Sequence, residues 1–287
     1  MNITFIGGDA RMRTVAQLFS EQDTVRSFCL PKGAPSPVDT LFDALHMTDV
    51  ILLPLPATRD GIHPLCEEEY RDQIPAFAEI FSRAPDETAI LGGHLSPAVT
   101  KEAERHGLPV FDYYGSERLL LKNAEATAEA ALGMAISTLP VVLCGTPVAV
   151  IGGGRIARAL IPLLRATGAH VYVYARDLAQ RHAAEKMGAA AFPIPKDQPL
   201  CLAKGLRAVF STVPARLFDA DALSSLDRGV PLFDLGGDAV DREAAALYGI
   251  PLPPCGALPG RYSPESAGSF LYDEIQSILR AKRGRFL

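Results

Sequence analysis

The chain has 287 residues, of which 48% are hydrophobic and 21% charged, and its formal net charge at pH 7 is −5. This length suffices for two domains with complete cores, and the composition is that of an ordinary globular protein. The acidic balance argues against a nucleic-acid partner, which would require a basic surface. No apolar run approaches the roughly 18 residues that cross a bilayer, and the N-terminus lacks the pattern of a secretory signal. We therefore expect a cytoplasmic protein without a membrane partner.

The five cysteines are odd in number and widely spread, which is typical of reduced thiols in a cytosol. His63 and Cys66 lie close together in the sequence. Two ligands do not hold a structural zinc ion, however. We therefore predict no metal site.

The first third of the chain alternates short apolar runs with helical patterns. Such alternation predicts a parallel sheet with helices on both faces, and ligands then bind at the carboxyl ends of the strands. The predicted strands are Ile3–Ile6, Val25–Leu30, Val50–Leu53, Ala89–Leu91 and Val110–Phe111. The connection from Pro54 to Cys66 is long for a compact domain, so we expect it to be functional.

The segment Glu117–Leu139 is rich in alanine and leucine and predicts one long helix. It would join two Rossmann-like, doubly wound α/β domains. The expected boundaries are residues 1–120 for a substrate or partner domain, 121–139 for the linker helix and 140–263 for an NADP-binding domain. A final helix is predicted over Pro264–Arg280, and residues 264–287 are expected to return to the first domain.

The stretch Val148–Asp177 combines a strand, a glycine turn, a helix and a second strand, the setting in which a dinucleotide binds. Gly152 permits the tight turn, Gly154 lets the backbone approach a pyrophosphate, and Ala157 permits close packing of helix on strand. Pro162 lies inside the helix and predicts a kink. The alternative is a tight turn between strand and helix that binds nothing.

The end of the second strand favours NADP over NAD. An NAD site usually places a carboxylate there to bind the ribose 2′-hydroxyl, whereas here Ala175 is followed by Arg176. Arg176 is of the type that pairs with a 2′-phosphate, and Asp177 is predicted to be the N-cap of the next helix. The alternative for Arg176 is a solvated surface cation. The predicted cofactor-binding residues are Gly152, Gly153, Gly154, Arg155, Ile156, Ala175, Arg176, Thr212, Val213, Pro214, Leu235 and Gly236.

Several motifs together resemble the A-subunit of bacterial dipicolinate synthase, over nearly the whole chain. They include IGGDAR at Ile6–Arg11, NAEATAEAALGMAI at Asn123–Ile136, GGGRIA at Gly152–Ala157 and ALPGRYSPESAG at Ala257–Gly268. The resemblance implies an NADP-dependent oxidoreductase that works with a second, flavoprotein-like polypeptide, the B-subunit of dipicolinate synthase. It further implies oxidation of dihydrodipicolinate, at a branch of the lysine pathway, to dipicolinate (pyridine-2,6-dicarboxylate) in the mother cell of a sporulating bacterium.

A cyclic dihydro-dicarboxylate of this kind loses a hydride and a proton, and the protein must place the ring and bind two carboxylates. Arginine, serine, threonine and backbone N–H groups at helix starts suit the second task. The predicted substrate-binding residues are Thr58, Arg59, Ser96, Asn123 and Arg261. His94 is the candidate general base, because histidine side chains exchange protons near neutrality; a hydrogen-bonded structural histidine is the alternative.

Two other functions are left open. The predicted architecture is similar to that of NAD-dependent D-2-hydroxyacid dehydrogenases, which carry a histidine in the loop before the last helix. Pro251–Gly268, predicted to be a loop rich in proline and glycine, contains none. The other function is a non-catalytic, nucleotide-binding partner that regulates the B-subunit. The sequence also leaves open a homo-oligomer.

Overall fold

In the computed structural model, which describes residues 1–196 and 198–282, the chain forms two compact α/β units. One unit contains residues 1–122 together with residues 260–282, and the other contains Asn123–Pro259. Of the segment 264–287 that was predicted to return to the first domain, residues 283–287 lie outside the described residues. Each is built on a parallel five-stranded sheet. Both are doubly wound, as predicted.

The first unit follows the predicted alternation of strands and helices. Its elements are β1 (Asn2–Ile6), α1 (Ala10–Ser20), β2 (Thr24–Phe28), α2 (Leu41–Leu45), β3 (Val50–Leu52), α3 (Phe77–Arg83), β4 (Ala89–Gly92), α4 (Pro97–Arg105) and β5 (Val110–Asp112). The sheet order is β2-β1-β3-β4-β5. The order therefore reverses between β1 and β3, and the crevice outside their carboxyl ends is the preferred ligand position in such sheets.

Side chains that alternate along the strands build two apolar layers in this unit. Ile3, Phe5 and Leu52 pack on one face with α1. Ile51 and Ile90 pack on the other face with α2, α3 and α4. Because both faces are covered, the central strands are almost continuously apolar, as is typical of parallel sheets.

The second unit has the strand order of a Rossmann domain. After α5 (Glu117–Thr138), which runs from the first unit into the second, its elements are β6 (Pro147–Ile151), α6 (Arg155–Ala166), β7 (His170–Ala175), α7 (Leu178–Lys186), β8 (Ala190–Pro193), β9 (Ala208–Ser211), α8 (Ala220–Ser224), β10 (Leu232–Asp234) and α9 (Arg242–Tyr248). The sheet order is β10-β9-β6-β7-β8. The reversal falls between β6 and β9, directly at the glycine turn.

Two features of this part of the chain depart from the prediction. β8 was not predicted, because its sequence AAFP lacks β-branched residues and forms a largely exposed strand at the sheet edge. Pro251–Gly268 is not only a loop, since it contains the short helix α10 (Leu258–Tyr262).

Helix α6 continues through Pro162, which lies on its exposed side.

The last helix, α11 (Pro264–Lys282), packs against α1 of the first unit, as predicted. Leu271, Ile275 and Leu279 are buried in the same apolar layer as α1. Phe19 of α1 and Tyr272 of α11 meet edge to face, with ring centroids 4.7 Å apart. In the described ranges, no helix is long and apolar enough to span a membrane.

Candidate functional site

The turn after β6 requires glycine at its first position. Gly152 has a φ of +107°, a conformation that side chains rarely adopt. A Cβ atom there would also collide with the hydroxyl oxygen of Thr212 and lie 2.9 Å from Val213. Thr212 in turn donates its hydroxyl to the carbonyl of Ile151 at 2.9 Å. The ends of β6 and β9 are thus joined directly, as the predicted turn requires.

Gly154 differs from Gly152, because nothing in the folded chain demands a glycine there. It is the N-cap of α6 with φ −76° and ψ −165°, angles open to any residue. A Cβ at this position would meet no atom within 4 Å. Because the N-cap is a glycine, it provides no side-chain hydrogen bond to the first turn of the helix. This open space before a helix N-terminus fits a phosphate group.

The other predicted cofactor residues lie at the same edge of the second sheet. Arg155 and Ile156 begin α6, Val213 and Pro214 follow β9, and Leu235 follows β10. Gly236 was predicted to bind the cofactor, since a glycine lets a ligand approach the backbone. Instead, a Cβ at Gly236 would collide with the backbone carbonyl of Val213, so the glycine is needed for the close approach of two chain segments.

The tip of β7 carries two arginines, of which the sequence indicated only one. Ala175 is buried and Arg176 is exposed. Asp177 accepts the backbone N–H of Gln180 at 3.0 Å and is the N-cap of α7, as predicted. Arg181 donates to the carbonyls of Ala175 and Arg176 at 2.9 and 2.7 Å. Among the described residues, no carboxylate lies at the strand tip itself, and Arg181 fixes the backbone there.

The connection from Pro54 to Cys66 is organised around Asp60. The Asp60 carboxylate accepts hydrogen bonds from the backbone N–H groups of Ile62 and His63, both at 2.8 Å, and lies 2.8 Å from the His63 ring. Thr58 donates to Asp60 at 3.0 Å and accepts from the N–H of Gly61 at 2.9 Å. The hydroxyl of Thr58, predicted to bind substrate, is therefore used within the loop.

The charge of Asp60 is stabilised by these bonds. Partial burial alone would raise the pKa of Asp60, but the hydrogen bonds from the backbone and ring of His63, followed by those from Ile62 and Thr58, hold it well below its ordinary value. Arg59 is exposed and lines a surface pocket of about 570 Å³ with His63 and Cys66. Of the predicted substrate residues, Arg59 alone is among the described residues that line this pocket.

His94 is held in an uncommon backbone conformation after β4. Its φ is +52°, in the left-handed region. Asp112 accepts the backbone N–H groups of His94, Leu95 and Tyr114 at 3.1, 2.8 and 2.7 Å, which fixes this turn. The His94 ring is exposed and meets Tyr114 edge-on at 6.4 Å between centroids. The sequence did not indicate the role of Asp112.

Backbone pairing brings two of the predicted groups to one sheet edge. Ala57 donates its N–H to the carbonyl of Gly93 at 2.8 Å, so Thr58 and His94 follow directly from paired residues. Ser96 accepts the N–H of Val99 at 3.4 Å and is the N-cap of α4, with Pro97 following as predicted. Its hydroxyl therefore has a structural role as well.

The remaining two predicted substrate residues lie on helices. Asn123 belongs to α5, and its backbone carbonyl accepts the hydroxyl of Thr127 at 2.7 Å. Arg261 belongs to α10, is exposed, and its guanidinium carbon lies 5.5 Å from the centre of the Tyr262 ring. No group of three or more potential metal ligands occurs within the described ranges.

A buried ion pair at the end of β1 joins two residues, Asp9 and Arg11, that the sequence placed at the carboxyl ends of the strands without indicating that they pair. Arg11, only 5% exposed, donates from Nε to both carboxylate oxygens of Asp9 at 3.0 and 3.1 Å and from Nη2 to Oδ2 at 2.7 Å. Nη2 also donates to the carbonyl of Leu55. Asp9 is in addition the N-cap of α1. The sequence left two interpretations open for Arg11, a residue that faces the cleft or a surface charge at a helix start, and the burial of Arg11 contradicts the second.

The glycines of the C-terminal motif pack against the start of α1. A Cβ at Gly260 would lie 2.9 Å from Arg11 Nε and 2.9 Å from Asp9 Oδ2. A Cβ at Gly268 would lie 2.6 Å from the Cβ of Thr14 and 2.8 Å from the carbonyl oxygen of Arg11. Both glycines therefore permit close approach of the C-terminal segment to the ion pair.

Known proteins share this architecture. The chain is similar to a transhydrogenase structure from Sinorhizobium meliloti, with 17% identity, a TM-score of 0.70 and coverage of 99% of this chain and 95% of the other. The strand orders, the glycine turn and this likeness define the class: a two-unit α/β protein of the Rossmann-type dehydrogenase fold.

Within this class, the similarity is to the A-subunit of dipicolinate synthase. Residues 2–114 match the family described as the N-terminal domain of the dipicolinate synthase A-subunit. The A-subunit of Bacillus subtilis (strain 168) is 26% identical over 296 residues, covering 97% of this chain and 96% of that protein. The crystal structure of the Bacillus halodurans A-subunit matches with a TM-score of 0.82, 22% identity and 97% coverage of both chains. The resemblance predicted from the motifs is thus confirmed.

Proposed function

We propose that the chain is the NADP-dependent oxidoreductase component of a dipicolinate synthase and that it oxidises dihydrodipicolinate to dipicolinate together with a flavoprotein-like B-subunit. Similarity to the A-subunit over 97% of the chain supports the reaction class. The observation that carries the proposal is the open space at Gly154, where the chain itself has no use for a glycine. The cytoplasm of a sporulating mother cell is the setting that this function implies.

In this proposal, the pyrophosphate of NADP is held by the backbone at Gly153, Gly154 and the first turn of α6. Arg176 pairs with the 2′-phosphate, and Arg181 keeps the tip of β7 in place through the carbonyls of Ala175 and Arg176. When bound, NADP supplies the hydride acceptor for the reaction.

The predicted substrate-binding and catalytic residues then have two tasks. Arg59 and Arg261 bind carboxylate groups, with Ser96 and Asn123 as polar contacts. The Thr58 hydroxyl, which was also predicted to bind substrate, keeps its hydrogen bonds within the loop. A proton leaves the dihydropyridine ring and is accepted by an imidazole nitrogen of His94. The exposed ring and the backbone held by Asp112 support this assignment of the base.

The choice of cofactor is tested by titrating NADPH and NADH into the wild type and Arg176→Ala. We expect the wild type to prefer NADPH and the variant to lose most of the preference, because a hydrogen bond to a charged group contributes about 1.5–3 kcal/mol. Arg207→Ala is the matched control, since Arg207 is also exposed but precedes β9 at the amino end of the sheet. Equal affinity of the wild type for both cofactors would refute the NADP assignment.

The reaction is tested by mixing the purified chain, NADP and dihydrodipicolinate, with and without the B-subunit. We expect dipicolinate to form with matching reduction of the nicotinamide. Product formation without nicotinamide reduction would exclude hydride transfer to NADP. Turnover of a 2-hydroxy acid in place of dihydrodipicolinate would favour the dehydrogenase alternative, and nucleotide binding without turnover would favour the regulatory one.

A further inference from the structure

Arg11 lies where the sheet order of the first unit reverses. Asp9, its ion-pair partner, directly follows the two glycines at the end of β1, and Leu55, whose carbonyl it contacts, follows β3. The guanidinium therefore bridges the two strands between which ligands bind in sheets of this topology.

The hydrogen bonds of Arg11 leave one of its nitrogens available. Nε and Nη2 are taken up by Asp9 and the Leu55 carbonyl. Nη1 makes no hydrogen bond to any residue that the structure describes, although the residue is 5% exposed. Nη1 is also not among the atoms that are sealed from solvent without a partner. A buried guanidinium with two N–H groups that no described residue accepts is suited to an anionic oxygen.

The surroundings of Arg11 favour a rigid and selective contact. Asp9 balances the charge of Arg11 and holds its plane in a two-pronged geometry, so little side-chain entropy is lost when a ligand binds. Helix α1 also begins here and contributes the positive end of its dipole. Gly260 packs on the pair, and this places the next residue in the chain, Arg261, beside it.

We infer that Arg11 is a carboxylate-binding residue, and that it anchors one carboxylate of the dicarboxylate substrate through Nη1 at the carboxyl ends of β1 and β3. This inference rests on the proposed function for the identity of the ligand. It adds a specificity-determining residue to that function, because a ring with a single carboxylate cannot occupy both this anchor and a second arginine.

The test is calorimetric titration of dipicolinate, with the monocarboxylate picolinate as comparison, into the full-length wild type, Arg11→Lys and Gly260→Ala. Lysine keeps the charge but loses the planar geometry, and the Gly260 methyl would press on Nε of Arg11 without removing any charge. We expect each variant to bind dipicolinate about 10- to 100-fold more weakly than the wild type, and to bind picolinate almost as the wild type does. Arg13→Lys, on the same helix, is the matched control and should bind both ligands as the wild type does.

NADPH affinity and circular dichroism are measured on the same samples. Weaker dipicolinate binding with unchanged NADPH affinity and unchanged helix content supports the inference. If one of the two variants fails to fold, this result in the other variant is sufficient. Wild-type affinity in both variants, or no binding of dipicolinate by the wild type, would overturn it. The proposed function would fail by a different result: a wild type that does not prefer NADPH, or that does not form dipicolinate with reduction of the nicotinamide.

Discussion

The contact between α11 and α1 makes a specific prediction about Gly268. In Gly268→Ala, the new methyl carbon would lie 2.6 Å from Thr14 Cβ and 2.8 Å from the Arg11 carbonyl oxygen. The second of these is a backbone atom and cannot rotate away, so the helices must separate. Overpacking of this kind costs about 1–3 kcal/mol. The better helix propensity of alanine offsets about 1 kcal/mol of this cost, which leaves a net destabilisation of roughly 0–2 kcal/mol.

Gly133→Ala is the matched control, because Gly133 also lies inside a helix but a Cβ there would meet nothing within 4 Å. It should stabilise the chain by roughly 1 kcal/mol through helix propensity alone. The same substitution is therefore expected to act with opposite signs at the two positions.

The assay is amide hydrogen exchange along a urea series, read separately for peptides of α1 and of α5, since the two units need not unfold together. In thermal unfolding, each kcal/mol corresponds to a shift of roughly 2–4 °C for units of this size. If Gly268→Ala slowed amide exchange in α1 as Gly133→Ala is expected to slow it in α5, the close approach of α11 to α1 would be refuted.

Three further predictions concern other features of the structure. Tyr113→Phe should lower the free energy of unfolding, measured by urea titration, by about 1–3 kcal/mol. The buried Tyr113 hydroxyl donates to the Leu53 carbonyl at 2.9 Å, and its removal would leave this bond of the carbonyl unsatisfied. An unchanged urea midpoint would contradict this prediction. Gly154→Ala should keep the wild-type melting temperature and lose NADPH affinity in fluorescence titrations, whereas Gly152→Ala should melt lower; wild-type affinity in the first variant would count against the phosphate position. Burial, with a smaller effect of a neighbouring thiol, raises the pKa of Cys29 from 9.0 to about 12. Because this pKa is raised in the folded state, the contribution of the thiol to the free energy of unfolding is complete below pH 9 and falls as the pH rises toward 12. Cys29 should therefore resist alkylation at pH 8 in the folded chain, while the exposed cysteines react.

The fold could be predicted well where a pattern has a single structural solution. All five strands of the first sheet and the turn at Gly152 followed from apolar runs and glycines, because parallel strands are buried on both faces. β8 could not be predicted in this way, since an edge strand needs little burial. Helix α10 was missed for a different reason: Pro259 and Gly260 disfavour a helix locally, and packing against the start of α1 overrides that preference.

The site was harder to predict than the fold, because the role of a polar residue depends on which partners the fold brings to it. Thr58 and Ser96 were selected for their hydroxyls, which the structure uses in a loop and an N-cap. For Arg11 the sequence left open a cleft residue or a surface charge, and only tertiary contacts show that it is buried and paired with Asp9. Arg181 supports the strand tip through carbonyls that no side-chain pattern reveals.

The division of the chain has a consequence for how the protein is made. The second unit is continuous in sequence, Asn123–Pro259, whereas the first is completed only by α11. On the ribosome, the apolar side of α1 therefore stays uncovered until Leu271, Ile275 and Leu279, which follow the whole second unit in the sequence, have emerged. The middle of the polypeptide can reach its native state earlier than the beginning, so premature termination within α11 would leave a finished second unit attached to an unfinished first one.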